Sequence, residues 1–304
     1  MEIQWSLVLF TALTGAAGWM YACIAADQFL KKASNKVNFS AGVCALVVLI
    51  VGGLASVTHL SHPENILGAL SHPTSGIFVE AVLVGITALF GILYLVFAKR
   101  EGSEAIAKVM VIIAAVFGVV LSFMAGESYM MAAQTTWNTF LLPLGYLGTA
   151  IPAGVAGYMS TAITVDKETE LTQYAKFLSV GSIIAIVTAV AYAVVSGAFV
   201  NSVLNAVAAV ACAGVVPFAI AAVLSKGAAE AKAEDKAEDK AEEAADEKAD
   251  DKAEEAAEDK AESKAGNKNT LITVAFVCAI LGALCYRCMM WDVASPLANF
   301  FGML

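Results

Sequence analysis

Eight apolar stretches, each long enough to cross a bilayer as a helix, decide what this chain can fold into. They fall at 5–30, 37–60, 74–98, 105–126, 139–165, 174–197, 199–224 and 270–291. About 20 residues at a rise of 1.5 Å each suffice to span the hydrocarbon core. The stretches are rich in Ala, Val, Ile, Leu and Gly and show no period-2 alternation, which points to helices rather than a barrel. Hydrophobic residues make up 59% and charged residues 15% of the 304, whereas a soluble globule carries about 25% charged residues. The expected fold class is therefore all-α and integral to the membrane: an eight-transmembrane-helix bundle. Its tightest turn is expected at Gly197-Ala198, with Asn201, Ser202 and Asn205 beside it.

The placement of charge divides the chain. Residues 225–269 hold 9 Lys and 16 Asp or Glu, a net of −7, and the remainder is nearly neutral. The expected organisation is seven transmembrane helices over 1–224, an acidic Ala/Glu/Lys-rich cytoplasmic linker over 225–269, and an eighth helix with an outer tail over 270–304. No basic patch exists that could neutralise phosphates, so nucleic acid is excluded as a partner. Lys31, Lys32, Lys36, Lys99, Arg100, Lys108, Lys167, Lys176 and the linker lysines all fall on one side of the expected bundle. The opposite loops, 61–73, 127–138 and 197–202, carry neither Lys nor Arg. The positive-inside rule makes the charged side cytoplasmic, so both termini are expected outside. Met1-Glu2-Ile3-Gln4 lacks the positive region of a secretory signal. Trp5, Trp137 and Trp291 sit at outer span ends, where an aromatic belt would place them, and Trp19 reads as packing.

Residues 228–265 repeat KAED-like tetrads. Ala, Glu and Lys favour helix, but a four-residue period sets Lys four from Lys and acid four from acid, which is repulsive. The segment is expected to be solvated, disordered or partly helical, with no specific ligand.

Ionisable groups inside spans are costly and mark function by default. Asp27 lies four residues before Lys31, as an interfacial ion pair would. His59, Glu80, Glu127, Arg287 and Asp292 all lie in the outer halves of their spans. That shared leaflet suggests a polar pocket near the outer face. The blander readings are a solvated Glu127 and an Arg287–Asp292 pair, although an offset of five suits one helix face poorly. Glu80 sits about 10 Å along a helix from Pro73 and must be protonated or partnered there.

Several chemistries are disfavoured. His59, His62 and His72 all lie on the outer side within 14 residues, whereas haem b between two helices needs ligands from facing spans; no haem is expected. Cys285-x-x-Cys288 lacks a second such pair to complete a metal site. Cys23, Cys44, Cys212 and Cys278 read as small apolar fillers. Lys108 and Lys176 stand only at the ends of their stretches and no lysine lies deeper in a span, which excludes a retinal Schiff base, and no phosphate-binding glycine loop occurs in a strand–helix context.

His59-Leu60-Ser61-His62-Pro63, followed by Glu80 in the next span, resembles a pattern of the dimethyl sulfoxide reductase membrane anchor subunits, part of the polysulfide/nitrite reductase anchor superfamily. Trp137-Asn138, Pro143-Leu144-Gly145-Tyr146 and Pro152-Ala153-Gly154 resemble the fifth span of that family. Tyr286-Arg287 with Met290-Trp291 resembles its last helix. Ser61 stands where the family has Gly, Glu64-Asn65 where it has a basic residue, and Val79 where it has a polar one. The resemblance implies a bacterial cytoplasmic-membrane anchor that oxidises menaquinol near the outer face in anaerobic respiration. Electrons would pass to an iron–sulfur electron-transfer subunit and on to a molybdopterin catalytic subunit, both docked outside, with no metal in this chain. By motif, His59 and Glu80 are the quinol-binding and proton-transfer residues, and Arg287 is the third. The rival readings are a related polysulfide or nitrite reductase anchor, a purely structural anchor, and a secondary transporter. A transporter would place its ionisable residues near the midplane of inverted repeats.

Overall fold

The computed structural model describes residues 2–58, 74–242 and 252–294. His59, His62 and His72 lie outside the described residues, as does the tail from residue 295 onward. Helices dominate: α1 (Trp5–Leu30), α2 (Asn35–Val57), α3 (Gly76–Ala98), α4 (Glu104–Glu127), α5 (Leu141–Val165) and α6 (Thr172–Val195) follow in order. A short turn of helix, α7 (Ala198–Asn201), leads into α8 (Val203–Val210). A π-helical turn (Ala211–Val215) then joins α8 to α9 (Val216–Glu242), and α10 (Lys252–Asp292) completes the described chain.

Local chemistry sets the boundaries. Ser34 and Ser75 cap α2 and α3 by accepting hydrogen bonds from the backbone N–H groups of Val37 and Phe78. Gly197, at φ 73°, makes the expected turn between α6 and α7. The seventh stretch is not one smooth helix, because Ser202 breaks its start and the π turn interrupts its middle. The charged segment is helical over the parts described: α9 runs on to Glu242, and α10 begins at Lys252, well before its apolar part. The high helix propensity of Ala, Glu and Lys accounts for that extension.

Seven helical stretches are long and apolar enough to cross a membrane: α1, α2, α3, α4, α6, Val203–Glu230 and Gly266–Asp292. The remaining expected span, α5, has the length at 25 residues but is not among the seven. Its Gly, Pro, Thr, Ser and Tyr content suits burial in protein rather than lipid, and eighteen of its residues are buried. It packs against α1, α2, α4, α6 and α10. The same logic orders the others. The most apolar part of α1 is 72% buried, whereas that of α3 is 22% buried and bears exposed Ile77, Val82, Leu89 and Ile92. Apolar side chains exposed in this way suit hydrocarbon contact. The chain is a multi-pass membrane protein.

Contacts between connections define two ends of the bundle. At the basic end, Lys32 pairs with Glu170 at 2.8 Å, joining the α1–α2 and α5–α6 connections. Lys108 and Lys99 lie over the rings of Phe29 and Phe39 there, at 3.6 and 4.6 Å. Asp27 anchors this end, and not as the ion pair with Lys31 that the spacing suggests. Its carboxylate is buried and accepts from the backbone N–H groups of Lys32 and Ala33, from Asn38 Nδ2 at 2.6 Å, and from the Tyr174 hydroxyl. Tyr158 donates to Asn38 Oδ1 at 2.9 Å, so one network ties α1, α2, α5 and α6. Lys31 takes the left-handed conformation that turns the chain around the carboxylate (φ 51°). At the other end an aromatic cluster closes the bundle. Trp137 and Trp291 stack edge-on at 5.1 Å, and Trp137 Nε1 donates to Met290 O at 2.8 Å. Both indoles are buried, so they form core rather than the expected lipid-facing belt; Trp5 alone of the three is exposed.

Candidate functional site

The ionisable residues at the aromatic end fall into three environments. Glu127 is exposed at the end of α4. Asp292 is exposed too, and accepts from Ser202 Oγ at 2.6 Å and Asn205 Nδ2 at 2.7 Å. It fastens α10 to the α7–α8 turn and makes no pair with Arg287. Glu80 and Arg287 remain as the groups held inside the protein.

Glu80 lies one turn into α3, facing α4. Ser128 Oγ donates to its Oε1 at 2.6 Å. The approach depends on Gly76, where a Cβ would stand 2.5 Å from Ser128 Cβ and force the two helices apart. One carboxylate oxygen is therefore fixed by a hydroxyl. Among the described residues no Lys or Arg forms an ion pair with Glu80.

Arg287 is fully buried on α10. Its Nε donates to Thr11 Oγ1 at 2.7 Å and Nη2 to Thr11 O at 3.0 Å. Nη1 donates to Ala283 O at 2.8 Å and reaches Thr149 Oγ1 at 3.5 Å. The guanidinium carbon stands 4.4 Å from the centroid of the Tyr146 ring. Every described hydrogen-bond partner is neutral. A buried cation is normally compensated by an anion, and here a π-face and oxygen dipoles stand in for one.

Aromatic rings connect the two groups. Tyr146 lies 6.0 Å from Tyr129, ring to ring. Tyr129 follows α4 by two residues, next to Ser128, and senses both Glu80 and Arg287. Burial raises its phenol well above the ordinary value, Tyr146 and Glu80 add to this, and Arg287 opposes it. Tyr286 packs on Tyr146 at 5.9 Å and on Tyr192 at 5.4 Å, and the buried Tyr192 hydroxyl has no partner among the described residues. Below Arg287 on α10 runs an apolar groove of about 240 Å³, lined by Leu13, Ala16 and Met20 of α1, Val48 of α2, and Phe276 and Ile280 of α10 among others.

Of the three expected site residues, two can be placed. Glu80 and Arg287 occupy the same end of the bundle, bridged by Tyr129 and Tyr146 rather than touching. His59, which directly follows the last described residue of the α2 end, lies outside the described residues. Sequence reasoning missed Thr11, Ser128, Tyr129 and Thr149. An isolated hydroxyl in an apolar helix looks like any helix-interior Thr or Ser, so only Tyr146, within Pro143-Leu144-Gly145-Tyr146, carried a usable signal.

Fold and site together define a multi-pass helical membrane protein with a buried cation and a half-buried carboxyl at its lysine-free end. The chain belongs to the DMSO reductase anchor subunit (DmsC) family, whose model matches residues 1–226. No curated protein gives a significant match. The family match ends before α10, so Arg287 rests on its structural environment. Membership makes the chain the membrane anchor subunit of a DMSO reductase-type complex, associated with other subunits of that complex.

Proposed function

We propose that this anchor binds and oxidises menaquinol at the aromatic end of the bundle, and passes electrons to an iron–sulfur subunit serving a molybdopterin catalytic subunit. The observation that carries this reading is Arg287: a fully buried cation whose hydrogen-bond partners are all neutral, on the same end of the bundle as Glu80. An oxygen that gains negative charge as a quinol deprotonates is the complement such a site lacks.

Eight spans accompany the proposal: α1 to α6, the α8–α9 segment and α10, with α5 as the protein-enclosed eighth. The basic end is cytoplasmic by the positive-inside rule, so the site and both termini are outside. The partner subunits dock on that outer face, in the cytoplasmic membrane of a bacterium.

Oxidation removes two electrons and two protons from the quinol. His59 takes one proton, since an imidazole near neutrality can accept first a hydrogen bond and then the proton. Glu80 takes the other, with Ser128 fixing the orientation of its carboxyl. Arg287 stabilises the ring oxygen while it is negative. The apolar groove suits the isoprenoid tail, because its lining offers no polar surface. Protons released outward, with the acceptor also outside, move no net charge across the membrane.

The test is steady-state menaquinol oxidation by the assembled complex. His59→Ala and Glu80→Gln should each slow it by about 10²–10⁴-fold, the usual contribution of a general acid or base. Reduction of the acceptor by an artificial donor that bypasses this chain should persist in both. Wild-type rates in both variants would leave the anchor a purely structural subunit.

A further inference from the structure

At the basic end, away from the quinol site, the α5–α6 connection and the cytoplasmic-side parts of α9 and α10 enclose a second cavity of about 240 Å³. Its lining includes Glu168, Thr169, Leu171, Leu224, Ala228 and Lys268. Three observations mark it as a built site. Thr169 is 4% exposed, and its hydroxyl has no hydrogen-bond partner among the described residues. A hydroxyl withdrawn from water normally finds a partner within the protein or in what fills the space beside it. Lys268 is half-buried, and its ammonium makes no ion pair or hydrogen bond among the described residues. Glu168 and Glu170 stand at the rim, Glu170 already holding Lys32.

Position adds the ligand class. Thr172 begins α6, and Gly266 begins the apolar part of α10. The cavity therefore lies where spans meet water, with apolar Leu171, Ala175, Leu224 and Ala228 beside the polar groups. It presents a cation, a free hydroxyl and carboxylates within one recess. A net-negative ligand would meet the two glutamates, and a plain cation would leave Lys268 and Thr169 unused. A headgroup carrying both a phosphate and a primary ammonium satisfies all of them. We propose that this cavity holds the headgroup of a phosphatidylethanolamine in the cytoplasmic leaflet. Its phosphate accepts from Lys268 Nζ and Thr169 Oγ1, its ammonium donates to Glu168, and its glycerol end packs against Leu171 and Leu224. The bound lipid would clamp α10, which returns from the long charged segment, to the α5–α6 connection.

The experiment measures lipid co-purifying with the detergent-solubilised complex, by extraction and mass spectrometry. Wild type should retain phosphatidylethanolamine in preference to phosphatidylglycerol. Lys268→Met and Thr169→Val should each lower that retention, Lys268→Met by about tenfold, the loss of a charge-assisted hydrogen bond. Lys226→Met, whose lysine is exposed and paired with Glu230, should leave retention unchanged. If Lys268→Met fails to assemble, Thr169→Val is the deciding variant. Adding dioleoylphosphatidylethanolamine to delipidated wild type should raise its unfolding temperature, whereas phosphatidylglycerol or soluble phosphoethanolamine should not. Equal retention in wild type and both variants, a preference for phosphatidylglycerol, or equal stabilisation by phosphoethanolamine would each overturn the proposal.

Discussion

The Arg287 guanidinium carbon stands 4.4 Å from the centroid of the Tyr146 ring, and no carboxylate is among its described partners. A cation over a π-face is stabilised by about 2 kcal/mol when desolvated, less than the several kcal/mol that withdrawing it from water costs. The arrangement makes sense if a negatively charged ligand atom supplies the difference during turnover.

The first prediction separates that role from stability. Arg287→Met should assemble at wild-type levels or above, with an unfolding temperature at least as high, because an uncompensated buried charge is removed. The carbonyls of Thr11 and Ala283 lie within helices and lose little. Menaquinol oxidation should nonetheless fall at least tenfold, about 1.4 kcal/mol of lost stabilisation. A large drop in unfolding temperature with a normal rate per assembled complex would make Arg287 a packing residue.

Asp27 supplies the opposite case. Its carboxylate holds two backbone N–H groups, Asn38 and Tyr174 at the basic end. Asp27→Ala leaves those donors buried without an acceptor, which should cost about 2–3 kcal/mol. It should lower the unfolding temperature and the amount of anchor in the membrane, while the quinol rate per assembled complex stays near wild type. A selective loss of rate at normal abundance would implicate the basic end in the chemistry.

These two residues also show what the sequence could and could not disclose. Hydropathy is a property of each stretch, so seven of the spans were legible, and the Gly197 turn with them. The serine caps and the propensity-driven extension of α9 and α10 shifted the ends. α5, expected as a span, is not among the seven stretches apolar enough to cross a membrane, as suits a helix enclosed by five others. Asp27 read as an ion pair with Lys31 because spacing reports neighbours on one helix, whereas its partners come from α2, α6 and the turn. Trp137 and Trp291 read as interfacial for a similar reason, since only tertiary packing reveals that each covers the other. Glu80 and Arg287 were legible because a charge in an apolar stretch stands out; their partners Ser128, Thr11 and Thr149 were not.

Sidedness gives a separate prediction. A periplasmically active reporter fused after Leu304 should be active, and the same reporter inserted at residue 245 should be silent; a cytoplasmically active reporter should show the reverse. The opposite pattern would move the aromatic end, and with it the proposed quinol site, to the cytoplasmic face.

The most direct measurement is binding of a quinone-analogue inhibitor to the assembled complex, titrated in wild type and in single variants. Wild type should bind tightly, His59→Ala, Glu80→Gln and Arg287→Met each more weakly, and Lys99→Ala at the basic end like wild type. Undiminished binding in the first three variants, with weakened binding in Lys99→Ala, would contradict a quinol site at the aromatic end.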